Sequence, residues 1–272
     1  MKGRLLVAAV GIPLLLVILL VLPRLVTAVV LAALCAIAAR ELLKTTGLLH
    51  RERMILETMA MAFCVPVWCH FGCPLHIGLP VILLFGLLEF TEALLAYPEV
   101  KFEGVLSALF AGFVIPLCLG SIVLLLIQDR GRHLVLIPIM IPFVADAGAY
   151  FAGYFFGKHK MAPVLSPKKT IEGAVGGVIT GALSMVIYGL VMQFGFHLAF
   201  DYLSGALLGL VGSLVSIVGD LSFSMVKRET GIKDYGTIFR AHGGVLDRFD
   251  SVVFAAPVAA LWMSLWPVLN QL

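Results

Sequence analysis

The sequence is short of charge. Asp, Glu, Lys and Arg make up only 13% of its 272 residues, about half the share found in an ordinary soluble domain. Hydrophobic residues fill 61%, which leaves too little polar side chain to cover a water-facing surface of this size. That excludes a soluble enzyme, a disordered chain and a secreted disulfide scaffold. The net charge of +3 is too small to suggest a nucleic-acid partner. Five cysteines are present, Cys35, Cys64, Cys69, Cys73 and Cys118. All lie in apolar runs and read as small hydrophobes. The Cys69-His70-x-x-Cys73-x-x-His76 run does not read as a metal site, because Pro74 interrupts any common helical face. No Walker loop, dinucleotide fingerprint or zinc-protease helix occurs.

What the chain has is length in its apolar runs. A membrane-crossing helix needs about 20 mostly apolar residues, and such runs cover 5–22, 25–43, 55–73, 75–96, 105–127, 133–156, 174–195, 203–222 and 251–270. The expected fold is therefore an all-α, polytopic integral membrane protein of about nine spans. The first run is read as a retained helix and not a signal peptide, since it ends in Leu22-Pro23-Arg24 without a small-residue cleavage site.

Nine spans divide the loops into two sets. One set holds only Arg24, Arg130 and Arg132, leaving 16 of the 19 basic residues to the other. Basic residues accumulate on the cytoplasmic side, so the N-terminus is expected inside and the C-terminus outside. The inner side also carries the two substantial polar connections, 157–173 and 223–250. One membrane domain is expected over 1–272. Within it, 1–132 supplies N-terminal helices and 133–272 is the half that carries chemistry. For a bacterial chain this places the site on the cytoplasmic face of the inner membrane.

Acids inside apolar runs need explaining. Asp146 stands twelve residues before Lys158, about 18 Å deeper along a continuous helix. An unpaired carboxylate there costs at least about 2.5–3.5 kcal/mol. Ala149, Gly153 and Gly157 follow it as a small-residue stripe open to another helix. Asp220 ends a second stripe, Gly209, Gly212, Ser216 and Gly219. If that helix continues, Ser224, Lys227 and Arg228 share the face of Asp220. Gly231-Ile232-Lys233-Asp234-Tyr235-Gly236 and then His242-Gly243-Gly244-Val245-Leu246-Asp247-Arg248-Phe249-Asp250 lead into the last run. Carboxylates suit Mg²⁺, Lys and Arg suit phosphate oxygens, and glycines let backbone amides approach them. Glu89 and Glu92, one turn apart, read as interface charges.

The run Ser224-x-x-Lys227-Arg228-x-x-x-x-Lys233-Asp234-x-Gly236, with His242-Gly243-Gly244-x-x-Asp247-Arg248-x-Asp250, resembles the signature of the phosphatidate cytidylyltransferase (CDP-diacylglycerol synthase) family. Asp146-Ala-Gly-Ala-Tyr-Phe and Ser166-Pro-Lys-Lys-Thr-x-Glu-Gly are similar to the family's two upstream blocks. The resemblance covers about 140–252. The first half agrees only in hydropathy and in the Ala39-Arg40-Glu41-Leu42 run, and Arg240 stands where the family usually has Pro or Gly.

The resemblance implies that CTP and phosphatidate, drawn from the membrane lipids, react to CDP-diacylglycerol and pyrophosphate. On that reading Asp220, Lys227, Arg228 and Asp247 carry the chemistry. Asp220 and Asp247 are the leading Mg²⁺ ligands, with Asp146 and Asp250 as further ligands and a second metal ion left open. Ser166, Lys168, Lys169, Thr170, Ser224, Lys233, Asp234, His242, Gly243, Gly244 and Arg248 bind the substrates. A homodimer is left open. Competing readings are a proton- or cation-coupled transporter using Asp146 and Asp220, and a CTP-dependent enzyme with another lipid acceptor.

Overall fold

A computed structural model describes residue 11 and residues 13–238 and 243–270. The protein is mostly helical. After a helical stretch over 13–20 come α1 (Arg24–Thr45), α2 (Glu52–His70), α3 (Leu75–Leu95) and α4 (Phe102–Ile127). Then come α5 (Gly131–Phe156), α6 (Ile171–Gly195), α7 (Tyr202–Glu229) and α8 (Leu246–Leu265). Among the described residues seven helices, all of these except α2, are long and apolar enough to cross a membrane. The protein is an integral membrane protein. Two of the nine expected spans do not join the seven. The first falls partly outside the described residues. The third corresponds to α2, whose first six residues include Glu52, Arg53 and Glu57.

The polar connection over 157–173 is not a plain loop. Strands β1 (Lys160–Ala162) and β2 (Ser166–Thr170) form an antiparallel hairpin that pairs Lys160 with Thr170 and Ala162 with Ser166. A second short pairing joins β3 (Ala199–Phe200) to β4 (Leu269–Asn270).

The chain divides into two compact units. The first takes the described residues up to Leu134 together with Lys227–Phe249. Its core is α1 packed on α2, with α4 against both. The buried face of α1 is Ala28, Leu31, Ala32, Cys35, Ala38 and Ala39, a three-to-four spacing in mostly small residues. Met54, Ile55, Thr58, Met61, Ala62, Val65 and Cys69 of α2 repeat that period and face inward. On α3 only Gly78, Phe85, Glu89 and Glu92 are buried, so its exposed leucines are left to hydrocarbon.

The second unit takes Val135–Val226 and the described residues from Asp250 onward. Here small residues set the packing. A Cβ on Gly173 of α6 would lie 2.8 Å from the Ala149 carbonyl of α5, and one on Gly177 would lie 2.8 Å from that of Ala145. The Ala149–Gly153 stripe is thus filled by α6 and not by α7. The α7 stripe meets three partners in turn. Gly209 faces the Gly181 carbonyl of α6, Gly212 faces Ile141 of α5, and Gly219 faces the Asp250 carbonyl of α8.

Candidate functional site

In the first unit the signature loop is built around one carboxylate. Helix α7 runs unbroken to Glu229, so Lys227 sits in its last turn, as the continuing-helix reading required. Gly231, at φ +71°, then closes the helix. Its amide donates to the Arg228 carbonyl, and that of Ile232 donates to Lys227 at 3.0 Å, a left-handed cap that turns the chain sharply. Asp247 stands just inside α8 and receives three donors. Lys227 Nζ lies 3.0 Å from Oδ1, while the Tyr235 and Gly244 amides donate to Oδ2 at 2.8 and 2.9 Å. Its side chain is 4% exposed. The Lys227 ammonium also lies 5.3 Å from the centre of the fully buried Tyr235 ring, within cation–π range.

The glycines of this loop are dictated by close approach. Gly243 has φ +79°, and a Cβ there would lie 2.6 Å from Asp247 Oδ2. Gly236 and Gly244 have no room for a Cβ against the carboxylate of Glu41. That carboxylate is a member of the loop's framework that sequence reasoning missed. Glu41 is 8% exposed, and it accepts the Val245 amide at 3.1 Å and the Leu246 amide at 3.0 Å. The only cue was an acid in the Ala39–Leu42 run. Lys233, Asp234, Arg228 and Arg248 are exposed, while His242 and Arg240 lie outside the described residues.

The second unit holds the other expected residues. Lys169, next to the end of β2, forms an ion pair with Asp220 of α7, both partly exposed. Asp146 of α5 lies within electrostatic reach of Lys169 and of Asp250, and Asp250 of α8 has its backbone against Gly219 of α7, so Asp146, Asp220 and Asp250 share one region of the second unit. Gly219 makes this possible, because the backbones of α7 and α8 touch one residue before Asp220. Asp146 is exposed although it lies well inside α5. Asp250 is buried, and its Oδ1 accepts the Ser251 amide at 2.7 Å. Ser224 is buried, Ser166 half-buried and Lys168 exposed. Thr170 serves the fold, because its hydroxyl accepts the Gly173 amide at 3.1 Å and caps α6. Glu172, beside it, accepts the amides of Lys158 and His159 and so fastens the hairpin to the start of α6.

Hard carboxylate oxygens are the donor chemistry Mg²⁺ takes, and Asp146, Asp220 and Asp250 are the acids of the second unit that offer them. Asp247 fits less well, since its oxygens are committed to Lys227 and two backbone amides. Among the described residues no group of three or more His, Cys, Asp or Glu side chains is set at metal-binding geometry. Lys169 holds Asp220 instead.

Comparison with known proteins gives these clusters a context. The chain is 36% identical over 181 residues to a phosphatidate cytidylyltransferase of Aquifex aeolicus, covering 66% of each chain. It is 44% identical over 133 residues to one of Synechocystis sp., covering 48% of this chain and 43% of the relative. A Staphylococcus saprophyticus protein of the same name is 39% identical over 131 residues, 48% of this chain and 49% of its own. The chain therefore spans between about two fifths and two thirds of the length of these relatives. The cytidylyltransferase family model matches residues 2–266, which takes in both carboxylate clusters and every helix that carries them, and the chain belongs to that family.

Proposed function

We propose that the protein transfers the cytidylyl group of CTP to phosphatidate, giving CDP-diacylglycerol and pyrophosphate. The observation that carries this reading is the Lys169–Asp220 pair beside Asp146 and Asp250 on apolar helices. A membrane protein keeps charges at such positions for function. Hard oxygens and an ammonium together suit phosphate chemistry, and the relatives from Aquifex aeolicus and Synechocystis are phosphatidate cytidylyltransferases.

A phosphatidate phosphate oxygen attacks the α-phosphorus of CTP, and the bond to the β-phosphate oxygen breaks to release pyrophosphate. The nucleophile is already ionised, so no strong general base is needed, and the protein's task is positioning and charge neutralisation. Lys169 and Lys168 hold one set of phosphates. In the first unit Lys227, Lys233, Arg228 and Arg248 offer cations to phosphate, with the glycine amides of the signature loop. Mg²⁺, when bound, neutralises phosphate charge, and Asp146, Asp220 and Asp250 would hold it. Asp247 fixes the loop that presents Lys227. Ser224 lies one turn beyond Asp220 on α7, on the same helix face.

The same reading sets nine spans, an inner N-terminus and a site open to the cytoplasmic face of a bacterial inner membrane. The split of basic residues supports it. Purified protein given radiolabelled CTP, Mg²⁺ and phosphatidate should yield a lipid-extractable label. Label appearing only with a different phospholipid acceptor, or in no lipid at all, would overturn the proposal.

A further inference from the structure

The end of α1 reaches the signature loop at two points. Helix α1 finishes in a π-turn over Glu41–Thr45, a wider turn that carries an extra residue. The extra residue offsets the end of the helix by about 100° from a continuous α-helix. Both ends of that turn are used. Glu41 accepts the Val245 and Leu246 amides, 204 and 205 residues further on. Thr45 Oγ1 donates to the Tyr235 carbonyl at 2.7 Å. Tyr235 in turn donates its amide to Asp247, which binds Lys227.

The chemistry of the Glu41 contact is specific. Val245 stands immediately before α8 and Leu246 is its first residue, where the first amides have no partner within the helix. A carboxylate there satisfies two of them with charge-assisted hydrogen bonds and meets the positive end of the helix dipole. Gly236 and Gly244 leave room for it where a Cβ would not. Ordinary helix caps come from the residue just before the helix. This one comes from another helix.

We infer that Glu41 is a positioning residue for the nucleotide-handling loop, holding the start of α8 so that Asp247 and Lys227 stay in register, with Thr45 as its second point of hold. The inference rests on the proposed CTP reaction for its kinetic consequence but not for its structural one. Glu41→Gln keeps shape and one acceptor oxygen, yet loses the charge and turns an amide group toward one of the two donors.

Hydrogen exchange followed by mass spectrometry on the substrate-free protein in detergent tests the clamp directly. Exchange at Val245 and Leu246 should quicken at least tenfold in Glu41→Gln, with protection in α2 and α6 unchanged. Steady-state assays should show the KM for CTP raised at least fivefold and the KM for phosphatidate within twofold. Glu41→Asp should fall between Gln and wild type. Thr45→Val, nearly isosteric, should raise the KM for CTP in the same direction and carries the test alone if the Glu41 variants do not fold. Unchanged exchange at 245–246, or an unchanged KM for CTP in folded Glu41→Gln and Thr45→Val, overturns the inference. A wild-type protein that shows the exchange pattern but no CTP turnover would instead overturn the proposed reaction.

Discussion

Lys227 and Asp247 meet at 3.0 Å with 13% and 4% of their side chains exposed, so the last turn of α7 is tied to the first turn of α8 by a nearly buried ion pair. Such a pair contributes little net stability when intact, because desolvation offsets the attraction. Removing one partner is costly, about 3–5 kcal/mol, because the other charge is left buried.

Asp247→Asn should therefore lose both activity and stability. The amide cannot balance Lys227, and its NH₂ must face a donor. Turnover should fall at least about 100-fold, and the unfolding midpoint in detergent should drop measurably. Lys227→Met in the same background should restore part of the midpoint, since it removes the stranded charge, while leaving turnover low. A double variant no more stable than Asp247→Asn would show that the pair is not what holds the loop.

Asp220→Asn should behave differently. Its pair with Lys169 is partly open to water, 22% and 27% exposed, and pairs of that kind are worth about 1 kcal/mol or less. The fold should survive with an unfolding midpoint close to wild type. Turnover should fall at least about 100-fold, because the carboxylate is removed from the cluster of Asp146, Asp220 and Asp250. Near-normal activity at limiting Mg²⁺ would remove Asp220 from the ligand set.

These contrasts also separate what was legible in the sequence from what was not. Seven of the nine expected spans were, because lipid demands apolar length whatever the tertiary fold. The run 133–156 corresponds to Gly131–Phe156, and 174–195 to Ile171–Gly195. The run 203–222 ended early because Lys227 and Arg228 break the apolar count, although α7 carries them on to Glu229. Asp146 and Asp220 drew notice because acids in apolar surroundings are expensive. Glu41 stood only as one member of the Ala39–Leu42 run and was given no role, since an acid near a helix end looks like an ordinary interface charge. Its partners are backbone amides more than 200 residues away, which side-chain patterns do not record. The hairpin over Lys160–Thr170 was hidden for a related reason, as two short strands in a polar stretch leave no alternating apolar signal.

Topology can be checked without any assay of activity. Single cysteines replacing Lys160 and Lys233, in a variant with Cys35, Cys64, Cys69, Cys73 and Cys118 replaced, should react with impermeant thiol reagents only from the cytoplasmic side. One at Gln271 should react only from the outside. The expectation comes from the uneven distribution of basic residues between the two sets of loops. Labelling of positions 233 and 271 from the same side would require an even number of crossings between them and would end the nine-span assignment.

Asp146 gives the sharpest test, because two accounts of it predict opposite results. As a helix-to-helix hydrogen-bonding group it should tolerate Asn, since an amide bonds as well as a protonated acid and carries no charge to desolvate. The packing of α5 does not need it in that role. Ala145 and Ala149, to either side, already meet α6 through Gly177 and Gly173, and the Asp146 side chain stays exposed. As a member of the polar cluster its charge is the point, with Lys169 and Asp250 near enough to act on it. Asp146→Asn should then cost about 10–100-fold in turnover, the usual penalty for a group in or next to a metal's ligand set. Raising Mg²⁺ should recover part of the loss, because Asp220 and Asp250 remain, and the unfolding midpoint should not move. Full activity in Asp146→Asn at limiting Mg²⁺ would return this residue to helix packing and leave the metal to the other two carboxylates.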